Sequence, residues 1–349
     1  MIDIDFCLSS YMAYRYTFKD GVEYAEGMHH KNFEPIPDSE KIAVRTARDI
    51  DEKIQRDINR LYEKHDKLGI LLSGGMDSAV LASYLRPGSR AYTFVSKQSQ
   101  VFEADIERSK EYAAKYGLKQ EMIDISFDDY KMYTPIVMKE KCGPVHSIEP
   151  QIYKAAKRAQ IDGIELMIIG DGADYVFGGM DKLLSKDWKF DDFVARYISL
   201  DPALVLSHPV DVYEPFEKYR IGEDGIDFLG FMDDLCTNES YSSYMNAFMA
   251  SGMPYFDPYE NLIMAEPKDL KRIRNGESKY LIRDLYKMKY PEREVPTKIP
   301  MPRPVDMIFK DWEGPKRKEF RDDIPMKQLS GNQKWQLWCA ELFLNLFVG

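Results

Sequence analysis

The sequence predicts an α/β protein: a doubly wound parallel sheet followed by a helical C-terminal lobe. Three observations carry this. Between residues 41 and 190, short apolar runs alternate with amphipathic stretches, as in strand–helix–strand units with buried parallel strands. Two of those runs lead without a break into glycine-rich turns, Ser73-Gly74-Gly75 and Gly170-Asp171-Gly172. Beyond about residue 190 strand signals become rare, and aromatic and methionine-rich helical segments take over. The expected division is 1–40 as an N-terminal extension, 41–190 as the α/β domain and 191–349 as the mainly helical lobe.

Residues 1–40 read as irregular and end in the turn-rich stretch 32–39. Lys41 to about Lys67 reads as one amphipathic helix, with Ala43, Ala47, Ile50, Ile54, Ile58 and Leu61 at helical spacing. Residues 69–72 form the first strand, 79–85 a helix that Pro87-Gly88 ends, and 91–95 the second strand. A helix over 105–116 closes on Gly117 as its C-cap. A third strand (121–125), a helix (150–160) and a fourth strand (165–169) follow. In the lobe, 191–198, 241–250, 278–290 and 335–347 read as helices.

The 349 residues are 44% hydrophobic and 30% charged, which excludes a disordered or low-complexity chain. At this length roughly 75% of the unfolded surface can be buried, so no staples are needed. No apolar run approaches the ~20 residues of a membrane helix. The start, MIDIDFCLSS, has no basic region followed by an apolar stretch, so no secretory signal is read. With 48 basic and 58 acidic residues the net charge is −10, which disfavours a general affinity for nucleic acid. Cys7, Cys142, Cys236 and Cys339 are far apart and form no C-x-x-C pair. Neither a zinc ribbon nor a disulfide scaffold is expected, and a cytoplasmic setting fits best.

The richest chemistry lies in Ser73-Gly74-Gly75-Met76-Asp77-Ser78, set between a strand and a helix. Paired glycines let backbone approach a ligand without a Cβ clash. The helix that follows offers free N–H groups to an anion, and Ser73 and Ser78 add hydroxyls. No Gly-Lys-Ser/Thr follows, so this is not a Walker loop. Asp77 would repel phosphate unless a cation lies between, which argues for Mg²⁺. The plainer alternative is an ordinary capped Gly-Gly turn. The hexamer resembles the S-G-G-x-D-S signature of the PP-loop ATP pyrophosphatases. Those enzymes cleave ATP between the α and β phosphates and activate a substrate as its adenylate.

The second turn, residues 170–179 (GDGADYVFGG), also follows an apolar strand. In a parallel sheet both turns would meet at the carboxyl edge, where ligands bind. The alternative is that Asp171 and Asp174 only cap the next helix. The segment resembles the G-E-G-x-D-E-x-F-G-G loop of the synthetase domain of asparagine synthetase and β-lactam synthetase. Residues 105–117 (DIERSKEYAAKYG), 253–258 (MPYFDP) and 278–283 (SKYLIR) are similar to further stretches of that family, in its order. The resemblance runs from about residue 45 to about 310.

The resemblance implies an α/β sheet of the PP-loop ATP pyrophosphatase type, with ATP and Mg²⁺ as cofactors. Ser73, Gly74, Gly75, Asp77 and Ser78 would hold the pyrophosphate part of ATP, with Gly170 and Gly172 beside them. Asp77 and Asp174 would hold Mg²⁺. Val95 and its neighbours would meet adenine through backbone groups. Asp171 falls where the family has a residue that assists the nucleophile, and a carboxylate there can accept a proton from an amine. Lys298, in Pro296-Thr297-Lys298-Ile299-Pro300, matches a family lysine that stabilises charge as the adenylate collapses. Lys279 reads as structural, a lysine beside Glu277 in a solvated pair.

Two departures bear on the substrates. Glutamine-dependent asparagine synthetase begins with a glutaminase domain whose nucleophile is an N-terminal cysteine. Here Met1 is followed by Ile2, and about forty residues precede the synthetase-like part, too few for such a domain. Cys7 is expected to be a buried small residue. The nitrogen would then be free ammonia, ammonia from a separate glutaminase subunit, or an amine. Residues 142–149 (CGPVHSIE) lie where the family reads its acid substrate, yet they do not match it, so aspartate is not carried over. The basic stretch 268–318, with Lys271, Arg272, Arg274, Arg293, Arg303, Lys316 and Arg317, reads as a solvated helical face, the alternative being a surface that attracts an acidic substrate or a tRNA. The Tyr/Met-rich stretch 241–259 reads as core, the alternative being a pocket lining.

The expected function is an AMP-forming amide ligase acting on a small-molecule carboxylate and ammonia or an amine. A tRNA-modifying PP-loop enzyme and a non-catalytic nucleotide-binding subunit of an amidotransferase are the alternatives. The former would call for an RNA-binding domain or a suitable cysteine pair.

Overall fold

The computed structural model describes residues 1–96, 103–297, 301 and 303–349. The chain opens on α1 (Ile4–Tyr14), started by Asp3, whose carboxylate accepts the Phe6 amide. This corrects the expectation of an irregular first forty residues. Every residue from Cys7 to Tyr14 is buried, so α1 shows no polar stripe by which its period could be read. The single helix expected over 41–67 is instead a short strand, β1 (Ile42–Val44), and α2 (Ala47–Tyr62). Thr46 and Asp49 form a reciprocal capping box that fixes the start of α2.

The centre is a five-stranded sheet, entirely parallel. Along the chain, β2 (Leu68–Leu71) is followed by α3 (Met76–Ala82), β3 (Arg90–Val95), α4 (Glu103–Lys115) and β4 (Lys119–Asp124). Next come α5 (Phe127–Lys141), α6 (Glu149–Ile161), β5 (Leu166–Ile168) and α7 (Gly172–Val176). The strongly helical part carries α8 (Phe228–Ser251), the two short strands β6 (Tyr255–Phe256) and β7 (Leu262–Met264), α9 (Tyr280–Lys289) and α10 (Gly331–Phe347). The spatial order is β4-β3-β2-β5-β6, while β7 pairs with β1 apart from the main sheet. From β2 the chain winds outward to β4, then returns to the other side of β2 as β5. The switch of direction between β2 and β5 is where a doubly wound sheet opens a crevice. The sequence reading ended the sheet at β5; β6 adds a fifth strand, in register with Met167 and Ile168. Two residues are too few to show a strand period.

Alternation along the strands divides the core in two. Leu166 and Ile168 pack on one face with Ile50, Ile54 and Ile58 of α2, Val80 of α3 and Leu285 of α9. Met167 and Ile169 pack on the other with Ile152 and Ala156 of α6, Phe248 of α8 and Trp335 of α10. Trp335 is fully buried and its indole N–H donates to the Val145 carbonyl at 2.9 Å. The Tyr11 hydroxyl of α1 donates to the same oxygen at 2.9 Å. Both chain ends thereby hold the loop between α5 and α6. Trp335→Ala is expected to cost about 3–5 kcal/mol of stability, read as a fall in the midpoint of urea unfolding.

Candidate functional site

The turn after β2 is drawn tight by its own side chains. The Ser73 amide donates to Ser78 Oγ at 3.0 Å, the two hydroxyls lie 3.0 Å apart, and the Gly75 amide donates to Ser73 Oγ at 3.1 Å. Gly74 serves close approach, since a Cβ there would overlap the Asp105 backbone of α4. The Tyr259 hydroxyl donates to the Asp77 carbonyl at 3.0 Å, and the Tyr290 hydroxyl to the Ala79 carbonyl at 2.7 Å. The C-terminal half of the chain thus grips the start of α3.

The turn after β5 lies across the crevice. Asp171 stands at the N-cap position of α7, yet its carboxylate makes no capping bond. It accepts instead from Ser240 Oγ of α8 at 2.7 Å. The plain capping alternative is therefore not what this side chain does. Burial, with the charges of Asp257, Asp174 and Glu239 near it, pushes the Asp171 carboxyl up to about 8. Asp257, just past β6, accepts the Gly172 amide at 2.7 Å and the Tyr259 amide at 2.9 Å. The Gly172 N–H is therefore engaged inside the fold, while Gly170 lines the cleft. Burial and neighbouring carboxylates also raise Asp257 and take Glu260 up to about 8.

Asp77 and Asp174 come together as expected, on a cation that the sequence reading dismissed. Lys279 Nζ lies 2.6 Å from Asp77 Oδ2 and 2.8 Å from Asp174 Oδ1. Its side chain is 3% exposed, and its backbone is left-handed at φ 54. Glu277, its expected partner, pairs with Arg272 at 2.8 Å instead. Gly179 leaves the room this cluster needs, because a Cβ there would overlap Asp174 Oδ1 and crowd the lysine stem. Asp77 and Asp174 are hard oxygen donors with no His or Cys beside them, the chemistry that suits Mg²⁺. Here they share the Lys279 ammonium, and among the described residues no group of three or more His, Cys, Asp or Glu side chains is placed to hold a metal ion. Mg²⁺ commonly takes one or two carboxylates and completes its shell with phosphate and water.

These groups line one cleft of about 390 Å³, a size within the range of small-molecule sites. Ser73, Gly74, Gly75, Asp77 and Ser78 all reach it, as do Gly170, Asp171, Asp174 and Lys279. At the end of β3, Thr93 and Phe94 line it; Val95 is not among its described walls. Lys298 lies outside the described residues. The cleft also holds residues that sequence reasoning missed, Arg15, Glu239 and Ser240, with Tyr244 from the 241–259 stretch and His146 from the unmatched 142–149 stretch. Of the basic residues named between 268 and 318, Arg272, Arg274 and Arg293 pair with acids, and Arg303 enters the cleft. Cys7 is buried in α1 as expected, and no cysteine lines the cleft among the described residues.

The strand order and the two glycine-rich turns at its switch point define an α/β fold of the PP-loop ATP pyrophosphatase type. Residues 49–221, close to half the chain, match the asparagine synthase family model, and both glycine-rich turns that carry the resemblance fall inside that match. The chain is similar to a provisionally named asparagine synthetase (glutamine-hydrolyzing) 1 of Methanocaldococcus jannaschii, 27% identical over 139 residues. That stretch spans 37% of this chain and 24% of the relative. Among solved structures, the NH3-dependent NAD synthetase of Campylobacter jejuni overlays 39% of this chain and 61% of its own at 17% identity and a TM-score of 0.28. The U34-tRNA thiolase NcsA of Methanococcus maripaludis overlays 72% and 82% at 14% and 0.28. Overlays this loose carry nothing about the site. Among the described residues no helix is long and apolar enough to cross a membrane.

Two outcomes follow from this geometry. Lys279→Met removes the ammonium that two carboxylates share. A loss of about 3 kcal/mol in urea unfolding is expected, the low end for a broken buried pair because both carboxylates stay partly open to the cleft. Asp171 binds its proton more tightly folded than unfolded, so its contribution to stability is greatest below about pH 4 and is lost as pH rises toward about 8. Asp171→Asn removes that titration. The wild type should lose stability relative to this variant across that window; parallel pH profiles would refute the raised carboxyl.

Proposed function

We propose that the protein is an AMP-forming ligase that joins a carboxylic acid to ammonia or an amine at the expense of ATP. The observation that carries this reading is the convergence of Asp77 and Asp174 on one cation, from the two glycine-rich turns at the switch point. ATP would lie with its phosphates along residues 73–78 and its base toward the end of β3. Asp77 and Asp174 would hold Mg²⁺, which when bound neutralises phosphate charge. Lys279 would add a fixed positive charge at the same place.

In the first step a substrate carboxylate oxygen attacks the α phosphorus. The α–β phosphoanhydride bond breaks, and pyrophosphate leaves. In the second, the nitrogen attacks the acyl carbon, AMP leaves, and the amine proton passes to Asp171. A base with its pKa near 8 suits that task, being basic enough to take the proton and deprotonated in useful amount near neutrality. The Ser240 hydroxyl fixes the carboxylate by donating to Oδ2. Lys298 is proposed to steady the acyl and phosphate oxygens as the adenylate collapses. The nitrogen source is ammonia, a separate glutaminase subunit or an amine. A thiolation chemistry is disfavoured, because Cys7, Cys236 and Cys339 are buried and their thiols pushed up to about 12, and the half-buried Cys142, its thiol also raised by burial, does not line the cleft.

ATP–pyrophosphate exchange with Mg²⁺ across a panel of carboxylic acids tests the first step. Label should enter ATP with a favoured acid and vanish in Asp77→Ala. Binding of ATP without exchange for any acid would favour the non-catalytic subunit. Asp171→Asn should keep exchange but slow amide formation by roughly 10²–10⁴-fold. The wild-type rate of that second step should rise with pH and level off by about 8, the value for Asp171 in the empty cleft. Equal loss of both steps in Asp171→Asn would remove it from the role of base.

A further inference from the structure

We infer that Arg15, His146 and Arg303 form an anion subsite on the wall of the cleft, and that the acid activated here therefore carries a second anionic group. This deepens the ligase reading and rests on it for the word substrate. The family match covers neither arginine, so the match assigns them no role.

Arg303 is the leading observation. Its Nη1 donates to His146 Nε2 at 3.3 Å, and among the described residues it meets no carboxylate within ion-pair distance. A guanidinium cannot shed its charge, and its planar fork matches a carboxylate or phosphate with two parallel bonds. His146 is 5% exposed, and its Nδ1 has no hydrogen-bond partner. Glu239 Oε1 lies 3.7 Å from that nitrogen, beyond a bond. Burial and the cations Arg15, Arg303 and Lys141 keep the ring neutral. With Nε2 accepting from Arg303, Nδ1 carries the hydrogen and is a buried donor without an acceptor.

Arg15 completes the group. It ends α1 in the left-handed region at φ 65. Among the described residues three non-glycines adopt that backbone, and two of them, Arg15 and Lys279, line this cleft. Such strain is retained where surrounding structure enforces it, often at ligand sites. Arg15 Nε donates to Ser199 Oγ at 3.0 Å and Nη1 to Glu239 Oε1 at 3.1 Å. Glu239 is bonded to Arg15, and its charge and that of Asp306 also bear on Arg303 without touching it. Lys141 and Glu149 pair at 3.1 Å and add no net charge. Two half-buried guanidinium groups on the cleft wall, of which one is in contact with a carboxylate, suit an anion with a planar pair of oxygens.

Glu239, which binds Arg15, is next in the chain to Ser240, which holds Asp171, so the subsite adjoins the segment that positions the proposed base.

The test uses thermal shift and calorimetry on the full chain with succinate, 3-phosphoglycerate and the monoacid butyrate, beside ATP. The wild type should bind the dianions and not butyrate, and the stronger of the two names carboxylate or phosphate as the second group. Arg303→Met should weaken the better dianion by about 10- to 100-fold while ATP binding is unchanged. Arg15→Met serves as a second variant. Unaltered dianion binding in both variants, absence of any dianion binding in the wild type, or loss of ATP binding in Arg303→Met would overturn the subsite. If the dianion effect holds while no acid supports pyrophosphate exchange, the ligase reading fails and the subsite stands. If exchange runs best with monoacids and ignores Arg303, the ligase stands and the subsite falls.

Discussion

One ion cluster ties the functional half of this molecule together. Asp77 belongs to the turn after β2, Asp174 to the turn after β5, and Lys279 to the start of α9. Two carboxylates brought this close repel each other, and a lysine this deep loses its hydration. Neither arrangement is tolerable without the other. The cluster also sets the backbone around it: Lys279 is held in a left-handed conformation and Gly179 must lack a Cβ. The crevice between β2 and β5 is a generic product of doubly wound topology. What makes it a particular site is that three distant segments must meet there with matched charge.

The helical part of the chain is a working wall of that crevice. Asp257, just past β6, anchors the amides of Gly172 and Tyr259, and the Tyr259 hydroxyl returns to the Asp77 carbonyl. The second turn is thus fastened from beneath, and the first is gripped through α3. From the other side, α1 supplies Arg15 and α8 supplies Glu239 and Ser240. Trp335 of α10 and Tyr11 of α1 share the Val145 carbonyl next to His146. Damage to α10, far from the phosphate turn in sequence, would loosen the loop that carries His146.

What the sequence disclosed follows the range over which each signal acts. The two glycine-rich turns were legible because glycine, serine and aspartate in that order encode backbone approach and charge locally. Strands β2 to β5 were legible because a strand buried on both faces is an apolar run. α1 was not, since a helix buried all round carries no period to read. Lys279 was misjudged because the nearest acid in sequence, Glu277, was taken as its partner, while its real partners lie 202 residues away at Asp77 and across the cleft at Asp174. Arg15 gave no signal, and Arg303 stood among other basic residues in a stretch read as a solvated face; only the fold brings the two into one cavity.

The charges along the cleft act on one another. The Asp77–Lys279–Asp174 cluster and the Arg15–Glu239–Arg303 group line the same cleft, and Asp171 feels charge from both, through Asp174 and Glu239. Asp171 keeps its proton near neutral pH because it is buried among other carboxylates. On the ligase reading, an acid arriving as an anion beside it would hold that proton still more firmly, as one more like charge in a poorly screened site. Adenylation then removes the charge of the reacting carboxylate, which becomes part of a mixed anhydride with AMP. The departure of pyrophosphate carries further negative charge away. Both changes lower the cost of an ionised Asp171, so its carboxylate becomes available as a base at the stage when an amine needs one. The same burial that makes Asp171 a poor base in the empty cleft therefore makes it a timed one.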